Sequence, residues 1–218
     1  MPSSNTTTAL INARAHDCNN PGFDYDTPSA DYWLAEISGV PAGLSSDMLR
    51  YPTMHHTHGM TRYHYRGMLV GSAFRYTAAG SPFDPVNLWK LWDRFKIEES
   101  EMIGWWQDVE QGRGTVPVTL SGKDFLATAY VQHGKQALIA IADFSADLAD
   151  YTSTLTLSCN WTALGLSASS AKLHVPSLPP FQTENVGVFA VGHAFNISAT
   201  QGGLLVIVAD GAADFAMD

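Results

Sequence analysis

Cysteine is scarce in this sequence: 218 residues carry two, Cys18 and Cys159. So widely separated a pair leaves one distant disulfide or, the simpler reading, two buried or idle thiols. Basic residues are also few, 12 Lys and Arg against 21 Asp and Glu, for a formal net charge of −9. Duplex nucleic acid is bound by a cationic surface that displaces counterions, so nucleic acid is not an expected partner. No apolar run approaches the roughly 20 residues needed to cross a bilayer, and no membrane partner is expected. The N-terminal stretch "MPSSNTTTALINARAHD" has no apolar signal core behind a basic head. That leaves the compartment open, and a polar start of this kind also fits a longer protein cut at this point. No solenoid-type repeat is visible, and no cofactor is expected.

What is present suffices for a packed core: 45% of residues are hydrophobic, 11% aromatic and only 15% charged, which argues against wholesale disorder. The length suits one large domain or two small ones. The pattern changes near Gly112, and "QGRGTVP", Gln111 to Pro117, reads as a boundary. It divides the chain into residues 1–111 and 112–218.

Helical periodicity marks the first part. Thr27 can cap a helix with Pro28 at its first position, Trp33 and Ile37 on one face and Gly39 as the stop. Asp84 and Pro85 repeat the device before Leu88, Trp92 and Phe95, spaced as one buried face. Between them "YRGMLVGSAFRY" predicts a third helix, weakened by Gly67 and Gly71, and "GVPAGLSSDML" a strand or extended connection. Helices alternating with short extended pieces suggest an α/β arrangement. In the second part "FLATAYVQ" and "QALIAIADF" flank a His133-Gly134-Lys135 hairpin connection. "STLTLSC", "AKLHVPSL", "AFNISAT" and "GLLVIVAD" continue the series, which predicts a β-sandwich, with "NWTALGL" as a helical or turn insert.

Several residues could carry chemistry. The acidic group Asp24, Asp26, Glu36 and Asp47 matters because glycoside hydrolysis needs two carboxyl groups, one to donate a proton and one to act as base or nucleophile. The plainer alternative makes Asp24 and Asp26 turn formers at a helix entrance. "HHTHGMTRYHYRG" clusters His55, His56, His58 and His64, yet its spacing matches no zinc ligand set, so a histidine- and tyrosine-rich loop without a metal is expected. Arg62 and Arg66 could orient a carboxylate bidentately, or equally pair with the surface acids of this chain. Trp89, Trp92 and at least one of Trp105 and Trp106 read as packing residues, and Glu98, Glu99 and Glu101 as a solvated turn. The sequons at Asn5, Asn160 and Asn196 matter only for a secreted chain.

Taken together, "GFDYDTPSADYWLAEISGVPAGL", "YRGMLVGSAFRY", "LWKLWDRFKIEESEMIGWW" and "DFLATAYVQHGKQALIAIADF" form one colinear string. It resembles the C-terminal portion of large glycoside hydrolases related to family 123, from about Gly22 to Val208. Asn20-Pro21 stands where that family carries an acidic residue. The resemblance implies a partial (β/α)8-barrel segment over residues 1–111 followed by an antiparallel β-sandwich over 112–218. It also implies that the chain is the C-terminal fragment of a glycosidase acting on a carbohydrate substrate, inactive alone if its site is incomplete. Asp24 or Asp26 would transfer protons or orient substrate at the carboxyl end of a barrel strand, with Glu36 or Asp47 as second carboxylate. Tyr25, His64 and Arg66 would contact sugar. Uncovered barrel edges imply self-association. The alternative is a non-catalytic carbohydrate-binding or structural β-sandwich module.

Overall fold

The computed structural model describes residues 29–34, 45–47, 60–74, 86–107, 117–122, 124–144, 152–180, 182–198 and 201–210. Among the described residues, the helices and strands that precede the sandwich strands are α1 (Ala30–Tyr32), β1 (Ser45–Asp47), α2 (Met60–Leu69), β2 (Ser72–Phe74) and α3 (Val86–Phe95), followed by β3 (Glu101–Ile103). The later elements are β4 (Val118–Leu120), β5 (Phe125–Gln132), β6 (Gln136–Asp143), β7 (Thr152–Cys159), α4 (Trp161–Leu164), β8 (Ala171–Val175), β9 (Gly187–Ala190), β10 (Ala194–Ser198) and β11 (Gly203–Asp210).

Two antiparallel sheets form a β-sandwich. One has six strands in the order β3-β5-β6-β11-β8-β9, the other three in the order β10-β7-β4. The expected hairpin through His133-Gly134-Lys135 is present, and β5 and β6 pair along their whole length from Gln132 opposite Gln136 to Phe125 opposite Asp143. Between the sheets, Ala129, Val131, Ile139, Ile141, Val206 and Val208 meet Leu155, Leu157, Phe195 and Ile197.

The six-stranded sheet is covered on its other face as well. Leu138, Ala140, Leu205 and Ile207 share a second core with Tyr65, Met68 and Leu69 of α2 and Leu88, Leu91, Trp92 and Phe95 of α3. Burial on both faces explains why β6 and β11 read as unbroken apolar runs, "ALIAIA" and "LLVIVA", whereas "TSTLTLSC" of β7 alternates. Strand β3, from before residue 111, pairs with β5 from after it. Residues 108–116, which hold the boundary expected near Gly112, lie outside the described residues.

The first part departs from expectation in its details. The cap of α1 is Ser29, whose hydroxyl accepts from the Tyr32 N–H at 3.2 Å, and helix begins at Ala30 rather than at Pro28. Trp33 is fully buried as expected; Thr27, Pro28, Ile37 and Gly39 lie outside the described residues. The third helix is shifted towards the N-terminus: α2 takes in "MTRYHYRGML", so His64 sits on a helix and not in a loop. Gly71 ends it by adopting φ +72, a conformation glycine tolerates without a Cβ penalty, and Ser72 to Phe74 then extend as β2 instead of continuing the helix. β2 pairs with β1 in parallel, Ser45 opposite Ser72 and Asp47 opposite Phe74. This pair is the α/β feature seen among the described residues. The buried face of α3 is as expected, with Leu91 added to Leu88, Trp92 and Phe95, and Asp84 and Pro85 lie outside the described residues. "NWTALGL" forms α4, capped by Asn160 Oδ1 accepting from the Ala163 N–H at 3.1 Å.

Trp92 therefore fills the joint between α3 and the sheet. Truncating it to alanine removes a buried aromatic and is expected to lower stability by about 3–5 kcal/mol. Urea denaturation of Trp92→Ala checks this; an unchanged midpoint would remove Trp92 from the core.

Candidate functional site

Helix α2 meets the sheet through polar as well as apolar side chains. Arg62, Tyr65, Arg66 and Leu69 follow the spacing of one helical face and are all buried. A buried cation must be paired, and the Arg62 guanidinium reaches Asp143 Oδ2 at 3.2 Å, with both side chains 1% exposed. Arg66 Nε donates to the Asp143 carbonyl at 2.9 Å, and its guanidinium lies 4.5 Å from the Phe144 ring centroid. The helix can come this close because residue 202 is glycine: a Cβ there would lie 2.6 Å from Arg62 Cβ, and its φ is +68. Asp143 is held from below by its own N–H, which donates to the Gly202 carbonyl at 2.9 Å.

Gln182 completes the joint. The register that places Ile207 opposite His174 and Val208 opposite Leu173 brings Leu205 opposite Pro176, which has no N–H to offer. The Gln182 amide takes over. It donates to the carbonyls of Leu205 at 3.2 Å and Pro176 at 2.9 Å, while its oxygen accepts from the Leu205 N–H at 2.7 Å and the Tyr65 hydroxyl at 3.2 Å. Burial raises the Tyr65 phenol above its ordinary pKa, so it stays a donor.

The helix ends are closed by strand β5. Thr128 Oγ1 donates to the Leu69 carbonyl at 2.7 Å, and the Tyr130 hydroxyl donates to that of Met68. Gln132 Nε2 donates to the carbonyls of Phe95 at 2.7 Å and Lys96 at 2.9 Å. The last carbonyls of a helix have no partner within it, and here they point into a buried layer. Alternate residues of one strand therefore serve the C-termini of both helices.

Of the residues singled out for chemistry, Asp24, Tyr25, Asp26 and Glu36 lie outside the described residues, as do His55, His56 and His58. Asp47 is the last residue of β1, at the carboxyl end of the parallel pair. His64 is 4% exposed, and burial lowers its pKa well below the ordinary value, so the imidazole is neutral. Arg66 is fully buried and engages Asp143 and Phe144. The sequence offered Arg62 and Arg66 either a substrate carboxylate or an acid of this chain; Arg62 has taken an acid of the chain, buried instead of on the surface. Cys159 is a free thiol whose pKa burial pushes up to about 11; Cys18 lies outside the described residues. Among the described residues no three His, Cys, Asp or Glu side chains gather as a metal site.

Sequence reasoning passed over Asp143, Gln182 and the series Thr128, Tyr130, Gln132. A signal was present for some of them. Asp143 is the lone acid closing an apolar run, and the polar residues of β5 alternate in a strand whose other face is wholly apolar.

The arrangement defines a β-sandwich whose larger sheet carries helices on its outer face. Residues 84–208 match the glycoside hydrolase 123 C-terminal domain. The match covers more than half of the chain, and the protein belongs to this family. It takes in α3 and both sheets, while α2, β1 and β2 lie ahead of it. A search of curated proteins found no match.

Asp143 is the compensating charge for a guanidinium with no access to water. Asp143→Asn keeps the shape and removes the charge, leaving Arg62 buried beside a neutral amide. The expected loss is about 3–5 kcal/mol of unfolding free energy, read from urea denaturation. A loss below about 1 kcal/mol, as for a surface pair, would show that the pair is not desolvated.

Proposed function

We propose that the protein is part of a glycoside hydrolase acting on a carbohydrate, with its carboxylates at the carboxyl end of the parallel strands and the sandwich as their support. The observation that carries this reading is the position of Asp47. It ends β1, in parallel pairing with β2, and parallel α/β units place their ligands at the carboxyl ends of the strands. Membership of a glycoside hydrolase family, shown over residues 84–208, supports reading that carboxylate as one that acts on a glycosidic bond. The barrel expected around these strands belongs to the same proposal.

In the reaction one carboxyl group protonates the glycosidic oxygen as the bond to the anomeric carbon breaks. A second carboxylate, about 5–9.5 Å away, attacks that carbon or activates a water to do so. Asp24 or Asp26 and Asp47 are the pair we assign, with Glu36 as substitute partner and Tyr25 as the aromatic face for the sugar ring. Arg66 is fully buried and His64 nearly so, so we give them a positional role inside α2 instead of contact with sugar.

The test is hydrolysis of a panel of aryl glycosides by the protein and by Asp24→Asn, Asp26→Asn and Asp47→Asn. Loss of a group engaged in proton transfer should lower kcat by about 10²–10⁴-fold with little change in melting temperature. Activity within about twofold of the parent in all three variants would contradict the assignment. Glycan binding without hydrolysis of any member would favour the non-catalytic module.

A further inference from the structure

The caps that β5 places on α2 do more than close a helix. Leu69 is the last residue of α2, and Val70 and Gly71 alone separate it from β2, which begins at Ser72. Ser72 is 1% exposed and lies opposite Ser45 in the parallel pair, and two residues further on Phe74 lies opposite Asp47. The path from sandwich to strand end is therefore short and made of fixed parts. The Thr128 and Tyr130 hydroxyls, 0% and 2% exposed, hold the carbonyls of Leu69 and Met68. Those carbonyls belong to the last turn of the helix, and the φ +72 turn at Gly71 leads directly from it into β2.

From this connection we propose that Thr128 and Tyr130 are positioning residues for the β1–β2 pair, so that the sandwich sets where Asp47 stands. Neither side chain reaches a substrate, because both are buried under α2 and already donate to its carbonyls. Burial holds the Tyr130 phenol above its ordinary pKa, which keeps its hydroxyl protonated as a donor near neutral pH. The mechanical part of the inference stands on the hydrogen bonds alone. Its catalytic part rests on the glycosidase reading of Asp47.

Thr128→Val and Tyr130→Phe each remove one hydroxyl while nearly preserving shape, and each is made singly so that folding is retained. Leu157→Ala, in the core between the two sheets and away from α2, serves as a control of general destabilisation. Hydrogen–deuterium exchange of the full chain is followed at Ser45–Asp47 and Ser72–Phe74. The expected result is exchange faster by about tenfold or more in the hydroxyl variants than in the control at matched distance from the melting temperature, with Thr128→Ser behaving as the parent. Equal exchange in the variants and the control overturns the proposal. Activity reads the second part: kcat should fall on the order of 10²-fold in the hydroxyl variants, with KM little changed and Thr128→Ser restoring it. Faster exchange with unchanged kcat would overturn the role of Asp47 in the chemistry and leave the positioning intact.

Discussion

Two helices run their carboxyl ends into a buried layer, and something there has to donate hydrogen bonds to them. That requirement shapes the molecule. Strand β5 meets it with Thr128, Tyr130 and Gln132, which face the helices while Ala127, Ala129 and Val131 face the second sheet. An unsatisfied buried carbonyl costs on the order of 1–3 kcal/mol, so these three side chains specify where α2 and α3 stop. Lys96 shows how firmly. It follows α3 with φ +57, a conformation usually left to glycine or asparagine, and Gln132 bonds its carbonyl at 2.9 Å.

The other polar groups in this layer follow the same logic. Arg62 could not be buried without Asp143, and without Gln182 the Leu205 N–H and carbonyl would lose their partner opposite Pro176. Each supplies a hydrogen bond or a charge at a point where the apolar core cannot. Together they fix α2 in one register on the sheet, which greasy packing of Met68 and Leu69 against Leu138 and Ala140 does not do alone. The larger sheet of this chain thus serves as a base for helices, with polar side chains aimed at their ends.

The sandwich and α3 were legible because their signals are local. Alternation in β7, the apolar runs of β6 and β11 and the spacing of Leu88, Trp92 and Phe95 each declare a face within a few residues. Helix α2 was misplaced for the opposite reason. Arg62, His64 and Arg66 look solvated in sequence, and the acid that permits the burial of Arg62 lies 81 positions away. The apolar stretch across Gly71 then drew the expected helix towards the C-terminus, where the chain forms β2. Of the proposed site, the end of β1 was anticipated as an extended segment. The supports for α2 on β5 were invisible as supports, since a threonine and a tyrosine in a strand are ordinary strand formers.

If the polar joint binds helices and sheet into one body, they must unfold together. Equilibrium unfolding in urea, followed both by tryptophan fluorescence and by far-ultraviolet circular dichroism, tests this directly. In a Trp161→Phe background, which removes the tryptophan packed on the core between the sheets, fluorescence reports from the helix layer through Trp33, Trp89, Trp92 and Trp105, whereas the dichroism also includes the strands of both sheets. The account predicts coincident transitions with one midpoint, as for a single cooperative unit. A fluorescence transition at lower urea than a second, separate dichroism transition would contradict it, because the helices would then be leaving a sheet that stands without them.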